Sequence, residues 1–222
     1  VSMPRWSSFD AFLDEIALAE GSERQALVDT LLQERPHWPW VEATQATFVY
    51  SSAGATSVAL NLDTIPRDPP FEPMTQVEGT SLWYVRYGFA ADDLLDYMLA
   101  VDDPMTPLAQ ETDIVGRVTG HWMPDPLNPV RMDTAQMNVS VLRMSESRPF
   151  PDWTALKAVP RGRVTEHPVD SESLNYQGRK VWVYTPPKYE GSGMAYPLLI
   201  LQDGQWAIGP LQVPAIADAL AG

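Results

Sequence analysis

The sequence of 222 residues is poor in cysteine, in positive charge and in long apolar runs. It contains no cysteine, which excludes disulfides, thiolate metal sites and a cysteine nucleophile. Its 15 lysines and arginines stand against 29 aspartates and glutamates, a formal net charge of −14. This balance disfavours nucleic acids and anionic membrane surfaces as partners, because both attract a positive protein surface. No uninterrupted apolar run approaches the roughly 18 residues of a membrane-spanning helix.

The residues that are present are typical of a globular protein with one or two domains. Hydrophobic residues make up 45% of the sequence, which is too apolar for a disordered chain. Residues 1–125 hold 20 acidic and 6 basic side chains, whereas residues 126–222 hold 9 of each. We interpret this difference as a solvated acidic face. Residues 1–10 contain no apolar stretch of the kind found in secretory signals, so we expect no such signal in this sequence.

Residues 1–40 are predicted to form an N-terminal helical segment. Ser7 and Ser8 can cap a first helix, and apolar side chains then recur at helical spacing at Phe9, Phe12, Leu13, Ile16 and Ala17. Gly21 is expected to end this helix. Ser22 is the candidate cap of a second helix, and Pro36 stops it.

Residues 41–145 change to a period of two, which predicts a β-sandwich. Alternating apolar and polar residues mark five short segments, which are Thr47–Ser51, Ser57–Leu62, Ser81–Phe89, Leu95–Val101 and Asn138–Arg143. Several short strands with no helical pattern between them are typical of two packed antiparallel sheets.

The remaining residues predict a linker and then the opening of an α/β domain. Residues 146–178 are rich in proline and other turn formers, which favours a linker or surface crossing. Residues 179–222 predict strands at Arg179–Thr185 and Pro197–Gln202, and a helix at Leu211–Leu220. The second of these strands is apolar on both faces, as in a parallel sheet covered by helices. Two strands and one helix cannot close such a sheet, so we expect this domain to be incomplete.

Most motifs of catalysis are missing from the sequence. It has no G-x-S-x-G, no P-loop and no H-E-x-x-H. Its three histidines, His37, His121 and His167, lie far apart beside tryptophan or proline, which favours loop or surface positions. The pair Asp102–Asp103 follows a predicted strand, where an Asx-type turn is favoured over a cation site. We therefore predict no metal site and no cofactor.

One loop has chemical content. The segment Gln202–Trp206 (QDGQW) follows an apolar run. In α/β-hydrolases the loop after the third strand donates one backbone N–H of the oxyanion hole, and glycine lets the backbone approach the substrate. Each such donor contributes about 3 kcal/mol to transition-state stabilisation. A simple turn after a strand is the alternative.

Four segments, in order along the chain, resemble the enterochelin (enterobactin) esterase family. The first runs from Gly79–Tyr84 (GTSLWY) to Asp96–Asp102 (DYMLAVD). The second is Pro124–Pro129 (PDPLNP), and the third and fourth are Arg179–Pro186 (RKVWVYTP) and Leu198–Trp206 (LLILQDGQW). Gln202 departs from the pattern, since relatives often carry an apolar residue there.

This resemblance implies both a fold and a function. The fold class is mainly β, with N-terminal helices and an immunoglobulin-like early-set β-sandwich followed by an incomplete esterase-D-type α/β-hydrolase domain. The implied function is hydrolysis of the trilactone backbone of ferric enterobactin in the cytoplasm, which releases iron. The implied partners are a siderophore ester and the missing C-terminal catalytic half of the same protein, without nucleic acid or membrane.

The resemblance assigns no catalytic residue in this chain. In the family a Ser-His-Asp triad performs the acyl transfer, and its serine follows the strand–helix unit present here. The chain as supplied is therefore expected to be inactive alone. Only Asp203, Gly204, Gln205 and Trp206 match a functional element, as the expected oxyanion and substrate loop. Because the ferric complex is anionic, five basic residues are candidates for the substrate side, which are Arg161, Arg163, Arg179, Lys180 and Lys188.

Two other functions remain open from the sequence. The chain can be a carbohydrate- or ligand-binding early-set module of another modular esterase, with exposed tryptophans stacking on ligand rings. The candidates for stacking are Trp38, Trp40, Trp83, Trp122 and Trp153, which can equally be core residues. The third possibility is an interaction protein that never had a catalytic half.

Overall fold

A computed structural model describes residues 4–134, 137–149, 159–209 and 211–221. The chain is mainly β, its sheets are antiparallel, and it divides into two compact units, Val1–Arg148 and Pro149–Gly222. The stacking candidate Trp153 lies outside the described residues.

The first unit begins with two helices, as the apolar spacing predicts. Helix α1 spans Phe9–Leu18, and the Ser8 hydroxyl caps it by accepting the Ala11 N–H at 3.2 Å. Helix α2 spans Ser22–Glu34. The prediction of Ser22 as a cap is wrong, because Gly21 occupies the cap position and Ser22 is the first helical residue.

Ten strands in the described residues of the first unit form two antiparallel sheets. The first sheet has the order β1-β2-β6-β5, with bounds Trp40–Val41, Gln45–Ser51, Leu82–Gly88 and Thr75–Gln76. The second has the order β4-β3-β7-β10-β9, with bounds Phe71–Pro73, Val58–Asn61, Leu94–Val101, Asn138–Arg143 and Arg131–Asp133. Strand β8 (Trp122–Met123) pairs with β7. The five predicted strand segments are therefore confirmed to within a few residues.

The two sheets enclose one apolar core, and the helices cover the outer face of the first sheet. Phe48 and Val85 from the first sheet share the core with Leu60 and Leu99 from the second. On the opposite face of β6, Leu82 joins a second cluster formed largely by the helices. Alternate residues of one strand thus face different layers, as the pleat requires.

A short helix between β7 and β8 is absent from the prediction. Helix α3 spans Ile114–His121 after a 3₁₀ turn at Leu108–Gln110, and the Asp113 side chain caps it. Its Ile114 and Val115 are exposed, while its buried side chain is Arg117. An apolar stripe is therefore missing from this helix, and a polar side chain anchors it instead.

The described residues of the second unit form a hairpin and two helices. Strand β11 (Arg163–Ser171) pairs with β12 (Tyr176–Thr185), followed by α4 (Gly204–Ile208) and α5 (Val213–Ala221). Helix α5 and strand β12 agree with the sequence prediction. The sequence predicts a linker at residues 146–178, but this segment contains all of β11. Most residues of β11 are polar, so the sequence pattern does not indicate a strand there.

The predicted buried strand at Pro197–Gln202 is wrong for this structure. The segment has no strand pairing, and Leu198, Leu199 and Ile200 are 85, 75 and 73% exposed. A strand exists only when a neighbour satisfies its backbone groups, and an apolar sequence alone does not supply that neighbour.

Candidate functional site

The loop Asp203–Trp206 lies at the start of helix α4. Asp203 has φ 51° and ψ 53°, in the left-handed region, and its carbonyl accepts the N–H groups of Trp206 at 2.8 Å and Ala207 at 3.2 Å. Asp203 and Gln205 are exposed, and Gly204 and Trp206 are half-buried. The N–H groups of Gly204 and Gln205 belong to the first helical turn, where no carbonyl of the helix can accept them. They are the backbone donors that this loop can offer to an oxyanion.

Glycine at position 204 is required by the indole of Trp182. A β-carbon added to Gly204 would lie 2.7 Å from Cε3 of Trp182 and 2.9 Å from Cζ3. Those distances are far inside van der Waals contact, so a β-carbon at position 204 would require the Trp182 ring or the loop to shift. The Trp182 Nε1–H donates to Glu166 at 3.1 Å, and Lys180 pairs with the other oxygen of Glu166 at 3.0 Å. Strand β12 therefore fixes where the loop turns.

Helix α5 is tied to the hairpin by one buried carboxylate. Asp218 accepts the Gly162 N–H at 2.6 Å and the Tyr184 hydroxyl at 2.9 Å. Burial together with the hydrogen bond to Asp218 raises the pKa of Tyr184 to about 12, so the phenol stays protonated and donating at neutral pH. Asp218 has a structural role in this arrangement.

Two of the five basic candidates for the substrate side are paired with carboxylates. Arg163 lies 3.2 Å from Glu190, and Lys180 lies 3.0 Å from Glu166. The Arg179 guanidinium lies 5.0 Å from the ring centroid of Tyr176. Within the described part of the chain, Arg161, Arg179 and Lys188 form no ion pair, so these three cations remain for an anionic ligand.

The segment Pro124–Pro129 forms a buried polar network in the first unit. The Tyr97 hydroxyl donates to Asp125 Oδ2 at 2.7 Å, and Asn128 Nδ2 donates to the Tyr97 oxygen at 3.0 Å and to the Val141 carbonyl at 2.9 Å. Asp125 is fully buried, and Asn128 is 3% exposed. The segment is thereby fastened across β7 and β10.

The network changes the pKa values of both its titratable residues, Asp125 and Tyr97. Burial raises the pKa of Asp125, although hydrogen bonds from Tyr97 and from the Leu127 N–H act against the rise. Burial, reinforced by the neighbouring Asp125 carboxylate, raises the pKa of Tyr97 well above its usual value. The tyrosine is therefore a permanent donor. The network closes on itself inside the unit, so its role is structural.

Asp102 and Asp103 have separate partners and do not form a cation site. Asp102 accepts the Thr56 N–H at 2.7 Å and the Ser57 N–H at 3.0 Å. Asp103 accepts the Met105 N–H at 2.8 Å, which is the Asx turn predicted from the sequence, and it forms a two-pronged ion pair with Arg117. The described residues hold no group of three or more histidine, aspartate or glutamate side chains placed to bind a metal ion.

The histidines stay apart, and the tryptophans are largely internal. The His121 ring contacts the Val101 carbonyl at 3.2 Å, His167 contacts the Thr165 hydroxyl at 2.9 Å, and His37 is exposed. Three of the candidate stacking residues are buried, namely Trp38, Trp40 and Trp83. Trp122 is partly buried and donates to Asp103 at 2.9 Å. Their rings are thus core and contact residues.

None of the helices in the described ranges combines the length and apolar character that crossing a membrane requires. No protein-family model matches the chain, and no curated protein matches it.

Solved structures similar to this chain include enterobactin esterases, the family that its motifs resemble. An enterobactin esterase from Shigella flexneri, solved in the presence of enterobactin, is 22% identical with a TM-score of 0.39, and the match covers 78% of this chain and 48% of that one. A ferric enterobactin esterase from Salmonella typhimurium is 19% identical with a TM-score of 0.46, covering 85% and 54%. A putative alpha amylase from Salmonella typhimurium is 15% identical with a TM-score of 0.33, covering 51% and 15%. The chain therefore spans about half the length of the esterases it matches.

Proposed function

We propose that this chain is the N-terminal part of a siderophore esterase that hydrolyses trilactone esters of the ferric enterobactin type and releases iron in the cytoplasm. In this proposal an immunoglobulin-like early-set domain, within the first unit, precedes the opening of an α/β-hydrolase domain in the second. A Ser-His-Asp triad is supplied by a part of the protein outside these 222 residues. The 222 residues alone are then inactive.

The observation that carries the proposal is that the four family-like segments meet in two pairs. In the first unit, Asp125 and Asn128 of the second segment bind Tyr97 of the first segment directly. In the second unit, Gly204 of the fourth segment packs on Trp182 of the third. Residues that resemble one family at separate places in the sequence thus share contacts in space. Chance similarity of short peptides gives no reason for that coincidence.

The loop Asp203–Trp206 is proposed to provide one oxyanion donor. Its first-turn N–H groups, at Gly204 and Gln205, are the groups that can bind the oxygen of a tetrahedral intermediate. The second donor and the nucleophile come from the proposed catalytic part. Acyl transfer then proceeds by attack of the serine on the ester carbonyl, with histidine taking the serine proton and later delivering it to the leaving alcohol.

Arg161, Arg179 and Lys188, which form no ion pair with the described residues, are proposed to attract the anionic ferric complex. A cation already paired with a carboxylate contributes little net field, which removes Arg163 and Lys180 from the set.

The binding-module alternative, a carbohydrate- or ligand-binding early-set domain, needs exposed aromatic faces. Burial of Trp38, Trp40 and Trp83 leaves stacking of a sugar on these three rings without a supporting observation.

The first test is to read the coding DNA beyond codon 222. We expect a G-x-S-x-G motif within about a hundred codons, and a stop codon directly after Gly222 would refute the esterase proposal.

The second test uses the protein that carries this motif. Gly204→Ala should lower kcat for ferric enterobactin by roughly 100- to 1,000-fold, as expected when one oxyanion donor is displaced. Gly120→Ala is the matched control, because a β-carbon there meets no atom within 4 Å.

The proposed roles also predict how the kinetic constants divide. The Gly204 substitution should change kcat with little change in KM, because an oxyanion donor acts in the transition state. Alanine at Arg161 and Arg179 should instead raise KM and weaken its dependence on ionic strength. If Gly204→Ala retains full kcat while ferric enterobactin is still hydrolysed, the loop is only a turn. The esterase proposal then stands without its oxyanion assignment.

A further inference from the structure

A cavity of about 400 Å³ opens in the first unit where helix α2 ends. Its volume is within the range of small-ligand sites. Three buried apolar side chains contribute to the lining, together with an exposed proline, an arginine and a histidine, namely Trp6, Leu31, Trp40, Pro36, Arg35 and His37. All the residues that line the cavity belong to the first unit, whereas the loop Asp203–Trp206 belongs to the second.

Arg35 is a cation with free donors at this cavity. Its guanidinium carbon lies 3.6 Å from the ring centroid of Trp40. At that distance only a parallel stack avoids overlap, so the guanidinium N–H groups point outward in their own plane. The Arg35 side chain has no hydrogen-bond or ion-pair partner among the residues that the structure describes.

Most arginines in the acidic half of the chain have a carboxylate partner, but Arg24 and Arg35 have none among the described residues, and of these two only Arg35 lines the cavity. Residues 1–125 contain six arginines, and four of them pair with carboxylates, namely Arg5, Arg67, Arg86 and Arg117. Burial without a counter-ion lowers the pKa of Arg35. An anion delivered by a ligand would offset that desolvation through charge-assisted hydrogen bonds.

The other lining groups limit what kind of anion fits. Trp6, Leu31 and the Trp40 ring favour an apolar body beside the charged group. Glu34 also lines the cavity, and its Oε2 accepts the Arg5 N–H at 2.8 Å. A second negative charge on the ligand would face this carboxylate and be repelled. The cavity thus suits a ligand with a single negative charge and an apolar body.

We propose that this cavity binds a small aromatic monocarboxylate, whose carboxylate is held by the outward N–H groups of Arg35 and whose ring lies against the apolar lining. The site is independent of the proposed esterase function, because it requires only residues of the first unit. Its specificity comes from the planar guanidinium, which matches a carboxylate with two parallel hydrogen bonds.

Benzoate and benzamide provide the test, because they match in size and differ in charge. The full 222-residue chain, labelled with ¹⁵N, is titrated with each while the indole N–H signals are followed by NMR. The Trp40 signal is identified by its loss in Trp40→Phe. We expect benzoate to shift this signal saturably, and benzamide and acetate to bind at least about tenfold more weakly.

Two arginine variants complete the experiment. Arg35→Gln should weaken benzoate binding roughly tenfold to a hundredfold, whereas Arg67→Gln, with the same change of charge at an exposed ion pair, should leave it unchanged. The proposal is overturned if benzoate does not bind, if benzamide binds as tightly, or if Arg35→Gln retains the benzoate affinity. The comparison of the two ligands is made on the wild-type chain and needs no arginine variant, so it decides the matter even if Arg35→Gln does not fold.

Discussion

The buried ion pair between Asp103 and Arg117 predicts a large and asymmetric effect of mutation. Both side chains are almost fully buried, at 0 and 3% exposure. Arg117 Nε donates to Asp103 Oδ2 at 2.9 Å and Nη2 to Oδ1 at 2.6 Å. The carboxylate also accepts the Trp122 Nε1–H at 2.9 Å and the Met105 N–H at 2.8 Å. One carboxylate thereby joins the end of β7, helix α3 and strand β8.

Removing one partner leaves the other charge buried and poorly compensated. Arg117→Met leaves the carboxylate without its counter-ion, and Asp103→Asn leaves the guanidinium with only the Thr106 hydroxyl at 3.2 Å and Glu111 at 3.5 Å. Either change should lower the free energy of unfolding by about 3–5 kcal/mol. Arg67→Met breaks the exposed pair with Glu72, where the loss should stay below about 1 kcal/mol. The double variant Asp103→Asn/Arg117→Met should cost clearly less than the two single changes together.

The pair also has a defined dependence on pH. Burial alone would raise the pKa of Asp103, but hydrogen bonds from Arg117, Met105 and Trp122 outweigh it and lower the pKa below the ordinary value of 3.8. A lowered pKa means that the stabilisation is complete above about pH 4 and is lost as the pH falls through the pKa of the folded state. The stability difference between wild type and Asp103→Asn should therefore be constant from pH 5 to 7 and shrink only in acid.

Urea denaturation followed by far-UV circular dichroism measures these differences, with midpoints compared at equal slopes. The reasoning is refuted if Arg117→Met costs no more than Arg67→Met. It is equally refuted if the double variant loses the full sum of the single losses, since the two side chains would then act independently.

Three further perturbations follow from other parts of the chain. Asn128→Ala leaves the buried Val141 carbonyl without its donor and should destabilise the first unit by about 1–3 kcal/mol in the same denaturation assay. The pKa of Asp125 is raised by burial. The free energy of unfolding of the wild type, relative to that of Asp125→Asn, should therefore fall as the pH rises through the folded-state pKa of Asp125. A rise in this relative stability with pH would contradict the burial argument. Ile200→Lys places a charge in the exposed apolar run and should reduce concentration-dependent association in sedimentation velocity, with unchanged association as the contrary result.

Periodicity predicted those elements in which an apolar face recurs at the spacing of a helix or a strand. The helical spacing of Phe9, Phe12 and Ile16 gave α1, and alternation gave β6 and β7, because in each case an apolar face is buried. Helix α3 was missed because its buried member is Arg117, whose partner Asp103 lies 14 residues earlier. A charged side chain becomes a core residue only through a partner that local periodicity does not reveal.

In the second unit the error is the opposite one: the local sequence pattern predicts a strand that does not form. Leu198–Leu201 has the composition of a buried strand, but it remains exposed and unpaired. Strand β11 is mostly polar and forms nonetheless, because β12 satisfies its backbone from Arg163 to Ser171. Pairing therefore decides the conformation of both segments, and pairing is a long-range property. The sequence predicts a turn at Asp203–Gly204, and the structure has a change of direction there, at the start of α4. This prediction depends on local residues only.

The residues that carry the family resemblance mainly form contacts that hold the elements of the fold together. Asp125 and Asn128 are fully satisfied inside the first unit, and Trp182 and Gly204 define a contact that admits no β-carbon. Such positions tolerate few residue types, because a buried polar group without its partner, or a clash in a tight contact, costs about 1–3 kcal/mol or more. Asp125, Asn128 and Trp182 therefore act on the fold, and only the backbone N–H of Gly204 has a proposed chemical role as well. Hydrolysis by the proposed triad and carboxylate binding at Arg35 must therefore be tested separately, each at the atoms that would touch a ligand.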